Sequence, residues 1–574
     1  MMNLNLMSAG SFSPVLLAEF NWFLDGGIVG LYLIATMAAG IAVRKYVGKV
    51  EHFLVAGREM NVFLGIASLA ATEFGIISCM YTAQAGYSQG FAGATSGILQ
   101  AVAMFVIGVT GFCVKPLRDS GAMTIPELFE RRFGTFIRWL SGVVIVLGGL
   151  LNMGVFLRIG GEFLVLVSGM NEGYLVPTMT VLLIMVAVYT ILGGMLSVLV
   201  TDFLQFIVMS IGLLAVTYLI IGRYSWNAII QTVEQNHGAA GYNPFVPANG
   251  WESVLAQAFV QIAATLTWQT TIARLLAAKD TWTGRKVYIG TSFFFVCRFL
   301  IPGIWGITAL MILAPTTLSS LPKPLQARMS LAGIDTDTKV PQTTKDQLEL
   351  SKYDAAKLKQ MKVADLPEEV KSKVNVKDMS GSAQSDLSLN AMPYVLGTIV
   401  PIGLMGLLVA AMLAADMSTD SSYMITWASV IYNDILGPFR KKETSEKMGL
   451  LINRMIVALI GVFLFFYGLF YKLEGGLWDY LQTTGAVYLS SMSVLLISCC
   501  YWKRANNWGA AAAIVVGAAF PIGYLAMEKL GQKAMLEEFG FNQDRSKIAA
   551  FVLAAVAMVV FSLIKPKSAG EGAK

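Results

Sequence analysis

Charge is scarce in this sequence, and its scarcity excludes most soluble folds. Charged residues make up 14% and hydrophobic residues 56% of the 574 residues, whereas an average soluble domain is roughly 25% charged. Histidine is scarcer still, because His52 and His237 are the only two and both lie between the apolar segments. This argues against a metal centre or a proton relay built from histidines.

Further absences narrow the possible functions. The five cysteines all fall within apolar segments, where small buried hydrophobic residues are expected rather than disulfides or a redox centre. The sequence has no Walker motif, no nucleotide-binding segment and no arginine-rich voltage-sensor repeat. The net charge of +6 is what basic cytoplasmic loops produce and requires no nucleic acid. We therefore expect neither an enzyme nor a cofactor, and uphill transport would have to use an ion gradient.

What the sequence has in excess is apolar runs of about 20 residues, the length at which a helix crosses a bilayer. These runs are continuous rather than alternating, which favours helices over a β-barrel. The sequence predicts an all-α, multi-pass membrane protein with about 13 spans. We place the spans near residues 28–43, 62–82, 93–114, 137–167, 174–192, 196–221, 252–273, 287–313, 395–433, 450–470, 479–501, 507–527 and 548–564.

The distribution of basic residues predicts the orientation in the membrane. The first loop carries Arg44 and Lys45, and later odd-numbered loops carry similar clusters such as Arg440 and Lys441, whereas the second loop has no charge. Short basic loops face the cytoplasm. We therefore expect a protein of the plasma or inner cell membrane with its N-terminus outside and its C-terminus in the cytoplasm.

The predicted organisation has five parts. Residues 1–27 form an extracellular N-terminal segment, 28–313 carry spans one to eight, 314–392 form an extracellular polar insertion, 393–565 carry spans nine to thirteen, and 566–574 form a cytoplasmic tail. The insertion mixes both signs of charge. It would form either a small external cap or a loosely ordered loop.

One acidic residue interrupts the second span. Glu73 lies near its middle, between Thr72 and Gly75 in a run of small residues. A helix can unwind at such a run, and unwound carbonyl groups in the middle of the membrane can bind a small cation. An ionisable residue at this depth is a candidate for function. The alternative is that Glu73 pairs with a basic residue or stays protonated.

The ninth span contains the largest polar cluster. Hydroxyl and carboxyl side chains cluster there between Asp416 and Ser422, in a segment that is otherwise apolar. Hard oxygen ligands suit a cation such as Na⁺. Hydrogen bonding between helices explains one or two of the hydroxyl groups, but not a cluster that also contains Asp416 and Asp420.

The seventh and eighth spans hold two more polar features. Gln261 and Trp268 combine an amide with an aromatic ring, which suits a small-molecule site, although an ordinary polar interface between helices fits nearly as well. Arg298 lies inside the eighth span. It would either extend its charge to the membrane surface or bind an anion, and the sequence leaves both open.

Several motifs resemble those of the sodium:solute symporter family. Residues 124–133 read TIPELFERRF and resemble its T-x-P-E-x-x-x-x-R-F signature. Residues 193–202 read GGMLSVLVTD and, with Gln205, resemble its G-G-x-x-x-V-x-x-T-D-x-x-Q signature. Shorter matches, including Trp268 before Arg274, follow in family order between about residues 60 and 530.

The resemblance implies a five-plus-five inverted-repeat fold in which the second and seventh spans are discontinuous helices. It also implies a sodium site between the second and ninth spans. The ligands would be the backbone carbonyls of Ala71, Phe74 and Ala415 and the hydroxyl groups of Ser418 and Thr419. By the same resemblance, Glu73 would take part in ion coupling and Asp202 would lie on the inner sodium exit path.

The substrate is less well defined. At positions that bind sugar in the galactose transporter of the family this chain has Ser78, Gln100 and Gln261, and only Gln482 keeps its identity. We therefore expect a hexose to be disfavoured relative to an amino acid, an organic acid or an amine. The candidate substrate-binding residues are Thr72, Ser78, Gln100, Gln261, Trp268 and Gln482.

The leading hypothesis is a sodium-driven symporter that imports a small organic solute by alternating access. Its partners would be Na⁺, the solute and the lipid bilayer, without nucleic acid. A proton-coupled symporter that uses Glu73 is the alternative. A membrane sensor built on a transporter fold is a third hypothesis, disfavoured because only about ten polar residues follow the last predicted span.

Overall fold

The computed structural model describes residues 20–313, 376–440, 444–471 and 476–565, and these residues form helices without a β-sheet. The first part contains helices α1 (Leu24–Ala42), α2 (Val50–Val55), α3 (Val62–Glu73), α4 (Ile76–Gln89), α5 (Thr95–Thr110), α6 (Val114–Asp119), α7 (Ile125–Phe133), α8 (Thr135–Met153), α9 (Phe156–Val167), α10 (Leu175–Tyr224), α11 (Trp226–His237), α12 (Gly250–Thr267), α13 (Gln269–Ala277) and α14 (Thr281–Leu313). The second contains α15 (Val376–Ile399), α16 (Leu404–Val430), α17 (Glu446–Phe470), α18 (Leu477–Tyr501), α19 (Asn507–Lys529), α20 (Lys533–Glu538) and α21 (Gln543–Ile564).

The apolar runs form membrane-length helices, as predicted. Among the described residues, ten helical segments are long and apolar enough to cross a bilayer. The all-α membrane architecture is therefore confirmed, while the count of about 13 spans stays a prediction.

The fifth and sixth predicted spans both lie in α10, which turns sharply at Gly194. This residue has a φ of +55° and a ψ of −148°, a conformation that favours glycine. A Cβ atom at Gly194 would lie 2.5 Å from the carbonyl oxygen of Phe53 in α2. Glycine therefore allows the turn and the close contact at the same place.

Two helices are interrupted within the membrane region, in the second and seventh predicted spans. The first interruption separates α3 from α4 at Phe74 and Gly75. The second separates α12 from α13 at Trp268, whose ψ of 119° is extended rather than helical. A Cβ atom at Gly75 would lie 2.4 Å from Thr419 Oγ1, so glycine lets the first interruption contact α16. The prediction of two discontinuous helices is confirmed.

Other boundaries differ from the prediction. The fourth predicted span, 137–167, is divided into α8 and α9. The ninth, 395–433, is not one helix, because α15 ends at Ile399 and α16 begins after Gly403, whose φ is +85°. Proline and glycine in the intervening segment explain the break, since neither continues a helix.

The predicted domain limits stay a prediction. Residues 314–375 of the insertion, most of the N-terminal segment and the tail 566–574 lie outside the described residues. The first span begins at Leu24, four residues before the predicted start at Ile28, as is common for helix ends.

Burial separates central from peripheral helices. In the segment Leu404–Phe439, which contains α16, 89% of the most apolar stretch of 18 residues is buried, compared with 39% of the corresponding stretch in α21. A helix that is buried on all sides lies in the interior. The polar cluster of α16 is therefore enclosed by protein, whereas α21 lies at the perimeter.

Candidate substrate and sodium sites

A cavity lies between the two interrupted helices. The space between its lining side chains, including open solvent at its mouth, is about 610 Å³. Its walls combine carboxamide, charged and aromatic side chains with apolar ones. The polar and aromatic lining residues are Thr72, Glu73, Tyr81, Gln100, Asn152, Phe156, Gln261, Trp268, Arg298, Thr419, Tyr423, Trp478 and Gln482.

Five of the six candidate substrate residues belong to this lining: Thr72, Gln100, Gln261, Trp268 and Gln482. Ser78 does not. Its hydroxyl donates to the backbone carbonyls of Gly75 at 2.7 Å and Glu73 at 3.2 Å. The Ser78 side chain therefore serves the interruption between α3 and α4, where backbone carbonyls lack regular helical partners.

Glu73 pairs with a basic residue, one of the alternatives left open by the sequence. Arg298 Nη1 lies 3.0 Å from Glu73 Oε2, and the Thr270 hydroxyl donates to Glu73 Oε1 at 2.9 Å. Arg298 also donates to the Tyr81 hydroxyl. The pair joins the end of α3 to α13 and α14. It also places a balanced positive and negative charge in the cavity wall.

Four nitrogen donors of the lining have no hydrogen-bond acceptor in the described part of the chain. They are Gln261 Nε2, Trp268 Nε1, Arg298 Nε and Gln482 Nε2. Leaving a buried donor unsatisfied costs about 1–3 kcal/mol. The orientation of the Gln482 amide is fixed independently, because Lys547 Nζ donates to Gln482 Oε1 at 3.0 Å. Four side chains of the lining thus carry a buried N–H group that no described residue accepts.

The predicted sodium ligands lie on two elements, the end of α3 with the interruption after it and α16, which contact each other through Thr419. The Thr419 hydroxyl donates to the carbonyls of Thr72 at 2.8 Å and Ala415 at 2.9 Å. The amide of Phe74 lies 3.3 Å from the carbonyl of Ala71. The three carbonyl candidates and Thr419 therefore lie on two elements that touch each other.

Ser418 lies beside this contact and connects it to Asp202. Its hydroxyl donates to Asp202 Oδ1 at 2.6 Å and lies 3.4 Å from Thr72 Oγ1. Ser418 and Thr419 thus both contact Thr72. The Ser418 hydroxyl lies near the Thr72 hydroxyl, and the Thr419 hydroxyl donates to the Thr72 backbone carbonyl. Although Ser418 and Thr419 are adjacent on α16, both side chains therefore lie beside Thr72.

Asp202 is ion-paired rather than free. Arg274 Nη2 lies 2.9 Å from Asp202 Oδ2, and both side chains are fully buried. The same Arg274 nitrogen donates to Thr72 Oγ1 at 2.6 Å, while Arg274 Nε donates to Ser68 Oγ at 3.1 Å. A fully buried ion pair needs such additional hydrogen bonds. This network links α3, α10, α13 and α16 on the far side of Thr72.

The cavity includes residues that the sequence did not identify. Asn152 is a polar residue within a predicted span and could have been singled out on that ground; its amide donates to the carbonyl of Leu481 at 2.8 Å. Tyr81, Tyr423 and Trp478 carry no such signal, because aromatic residues in an apolar run usually belong to the core.

Comparison with known proteins assigns the architecture to one family. The family model described as "SSF: Sodium:solute symporter family" matches residues 53–326 and 374–517, more than half of the chain. A sodium/mannose cotransporter, SLC5A10, of Bos taurus is 23% identical over 95% of this chain and 87% of its own length. Sodium/glucose cotransporter 1 of Ovis aries is 23% identical over 90% of this chain and 72% of its own.

Two further comparisons concern a bacterial relative and a solved structure. The osmoregulated proline transporter OpuE of Bacillus subtilis (strain 168) is 29% identical over 29% of this chain and 31% of its own length. The substrate-bound outward-open structure of a Na⁺-coupled sialic acid symporter has a TM-score of 0.69 and 16% identity, covering 96% of this chain and 99% of that one. At this identity the structural likeness establishes the fold.

These comparisons identify a transporter rather than an enzyme, and they support sodium-coupled transport. They do not support the expectation that a hexose is disfavoured, because relatives over most of the chain include cotransporters of mannose and glucose. The chain is a multi-pass membrane protein and belongs to the sodium:solute symporter family.

Proposed function

We propose that this protein is a sodium-driven symporter that imports a small, oxygen-rich organic solute by alternating access. The observation that carries the proposal is the position of Thr72. Thr72 lines the cavity, and its backbone carbonyl accepts a hydrogen bond from the Thr419 hydroxyl at 2.8 Å. Thr72 therefore connects the proposed solute site to Thr419, a proposed sodium ligand. In the cell membrane the N-terminus would face outside and the C-terminus the cytoplasm.

Sodium would bind between the first interruption and α16. The proposed ligands are the carbonyl oxygens of Ala71, Phe74 and Ala415 and the hydroxyl oxygens of Ser418 and Thr419. Support comes from the contacts of Thr419, whose hydroxyl already links the Thr72 and Ala415 carbonyls. Oxygen atoms of this kind are the ligands that hard cations prefer.

Binding of sodium would order one wall of the cavity. An ion held by both elements would fix the interruption after Glu73 to the buried helix α16. That would hold Thr72 and the Glu73–Arg298 pair in place for the solute. A ligand shifts a conformational equilibrium only by its differential affinity, and a site that spans two elements supplies such a difference. Asp202, linked to Ser418, would lie on the path by which sodium leaves.

These four N–H groups indicate the chemistry of the solute. Gln261, Trp268, Arg298 and Gln482 each have an N–H group with no acceptor among the described residues, so a solute that supplies oxygen acceptors would recover the cost of their burial. Organic acids and polyhydroxylated compounds do so, and hexoses belong to the second class. An amine without oxygen atoms brings further donors and satisfies none of the four.

Uptake into proteoliposomes tests this proposal. The purified chain is reconstituted, and radiolabelled D-mannose, D-glucose, D-glucuronate, L-proline and the oxygen-free diamine putrescine are supplied with an inward sodium gradient or an equal potassium gradient. We expect saturable, sodium-dependent uptake of at least one of the oxygen-rich solutes and none of putrescine. Uptake driven equally by a pH gradient in sodium-free medium would instead support proton coupling through Glu73.

A further inference from the structure

A buried lysine outside the family match contacts the proposed solute site. Lys547 is 1% exposed and lies in α21, beyond residue 517, where the family model ends. Its Nζ donates to Gln482 Oε1 at 3.0 Å and lies 3.0 Å from Asp544 Oδ1 and 3.7 Å from Asp479 Oδ1. Burying an ammonium group is costly unless it is paired and hydrogen-bonded, and these contacts supply both.

The contact with Lys547 fixes the orientation of the Gln482 amide. An ammonium group can only donate hydrogen bonds, so the oxygen of the Gln482 amide must face Lys547. The nitrogen of the same amide is then left without an acceptor among the described residues, in a side chain that lines the cavity. Without Lys547 the amide could rotate and present its oxygen instead.

The beginning of α21 also anchors the two helices beside the cavity, through other residues. Gln543 Nε2 donates to Thr483 Oγ1 in α18 at 2.7 Å. Arg545 Nε lies 3.0 Å from Glu252 Oε2 in α12. Neither Arg545 nor Glu252 lines the cavity. The anchoring of α21 and the contact with Gln482 can therefore be separated by substitution.

We propose that Lys547 is a positioning residue that sets the solute preference of the cavity. By holding the Gln482 oxygen it keeps the Gln482 nitrogen available as a donor, which selects solutes with an acceptor at that point. This inference rests on the proposed function, because it takes the cavity to be the solute site. It assigns a role to a helix that lies outside the matched part of the family.

The contact can be tested without any solute. Melting temperatures are measured in detergent for Lys547→Met, Gln482→Leu and the double variant. If the two side chains interact, the double variant should melt within about 1 °C of the less stable single variant, since a shared interaction is lost only once. Strictly additive decreases would overturn the proposal.

The effect on transport is tested with the tracers named above. Lys547→Met should raise the KM of the transported solute about five- to tenfold, the loss expected for one hydrogen bond, with Vmax within about twofold. Lys547→Arg, which keeps a donor, should recover most of the affinity. Arg545→Met is the matched control, and should lower the melting temperature without raising KM. Equal KM increases in Lys547→Met and Arg545→Met would show that α21 acts only through stability.

The two proposals fail in different ways. If the wild-type chain accumulates none of the tracers with sodium, the proposed function is wrong for these solute classes. The melting experiment still decides whether Lys547 and Gln482 interact. If uptake occurs and KM is unchanged in Lys547→Met, the positioning role is wrong and the proposed function stands.

Discussion

Replacing Thr419 with valine tests the role of its hydroxyl in the proposed sodium site while leaving the packing around residue 419 nearly unchanged. Valine keeps the branched shape of threonine and removes the hydroxyl that donates to the carbonyls of Thr72 and Ala415. One sodium ligand would be lost, and two buried carbonyls would lose a donor. At about 1–3 kcal/mol for such a loss, the apparent sodium affinity should fall about 5- to 150-fold.

The assay is initial uptake at increasing sodium concentration and a fixed tracer concentration. Thr426→Val is the matched control, because Thr426 is a buried threonine of the same helix whose hydroxyl, among the described residues, bonds within that helix to the carbonyl of Ser422 at 2.6 Å. Thr419→Ser should retain sodium dependence. An unchanged sodium affinity in Thr419→Val would refute the placement of sodium at this contact.

Three other substitutions follow from the contacts described. Glu73→Gln leaves Arg298 without its carboxylate partner and should lower the free energy of unfolding by about 3–5 kcal/mol. Adding Arg298→Met should recover part of this loss. Chemical unfolding of the two variants measures this, and no recovery would contradict the pairing. Asp416→Asn should preserve both folding and uptake, because Asp416 Oδ2 has no partner among the described residues and an unpaired carboxylate is costly in a membrane. Loss of uptake in a folded variant would contradict this and would point to a cation at Asp416. Gly194→Ala should destabilise the protein by at least about 1–2 kcal/mol, because an alanine at this positive φ is strained. The measurement is the fraction of protein that stays monodisperse after heating. An unchanged fraction would argue against the sharp turn in α10.

The sequence was sufficient for the membrane architecture because hydropathy acts locally. Apolar runs predicted the long helices, and the small residues that end at Gly75 indicated where α3 and α4 separate. Polar residues inside spans, such as Glu73, also indicated candidate site positions, since few other reasons place them at that depth.

Contacts between distant segments could not be predicted in the same way. Arg298 was recognised as unusual, but its partner Glu73 lies 225 positions away, and no local pattern encodes that distance. The sequence places Ser78 among the candidate substrate residues, yet its hydroxyl donates to the carbonyls of Glu73 and Gly75 just before α4, because rotation of α4 decides which face it presents. Lys547 lies in a peripheral helix whose composition gives no indication of a contact with Gln482.

The double attachment of Thr72 limits how this transporter can change in evolution or by design. Its backbone is tied to Thr419 and its side chain to Arg274, so a new residue at position 72 would disturb ion dependence together with solute affinity. Gln261 and Gln482 line the same cavity without a direct hydrogen bond to either partner of Thr72 among the described contacts. Variation at these two positions is therefore the route by which solute range could broaden while the energy source stays the same.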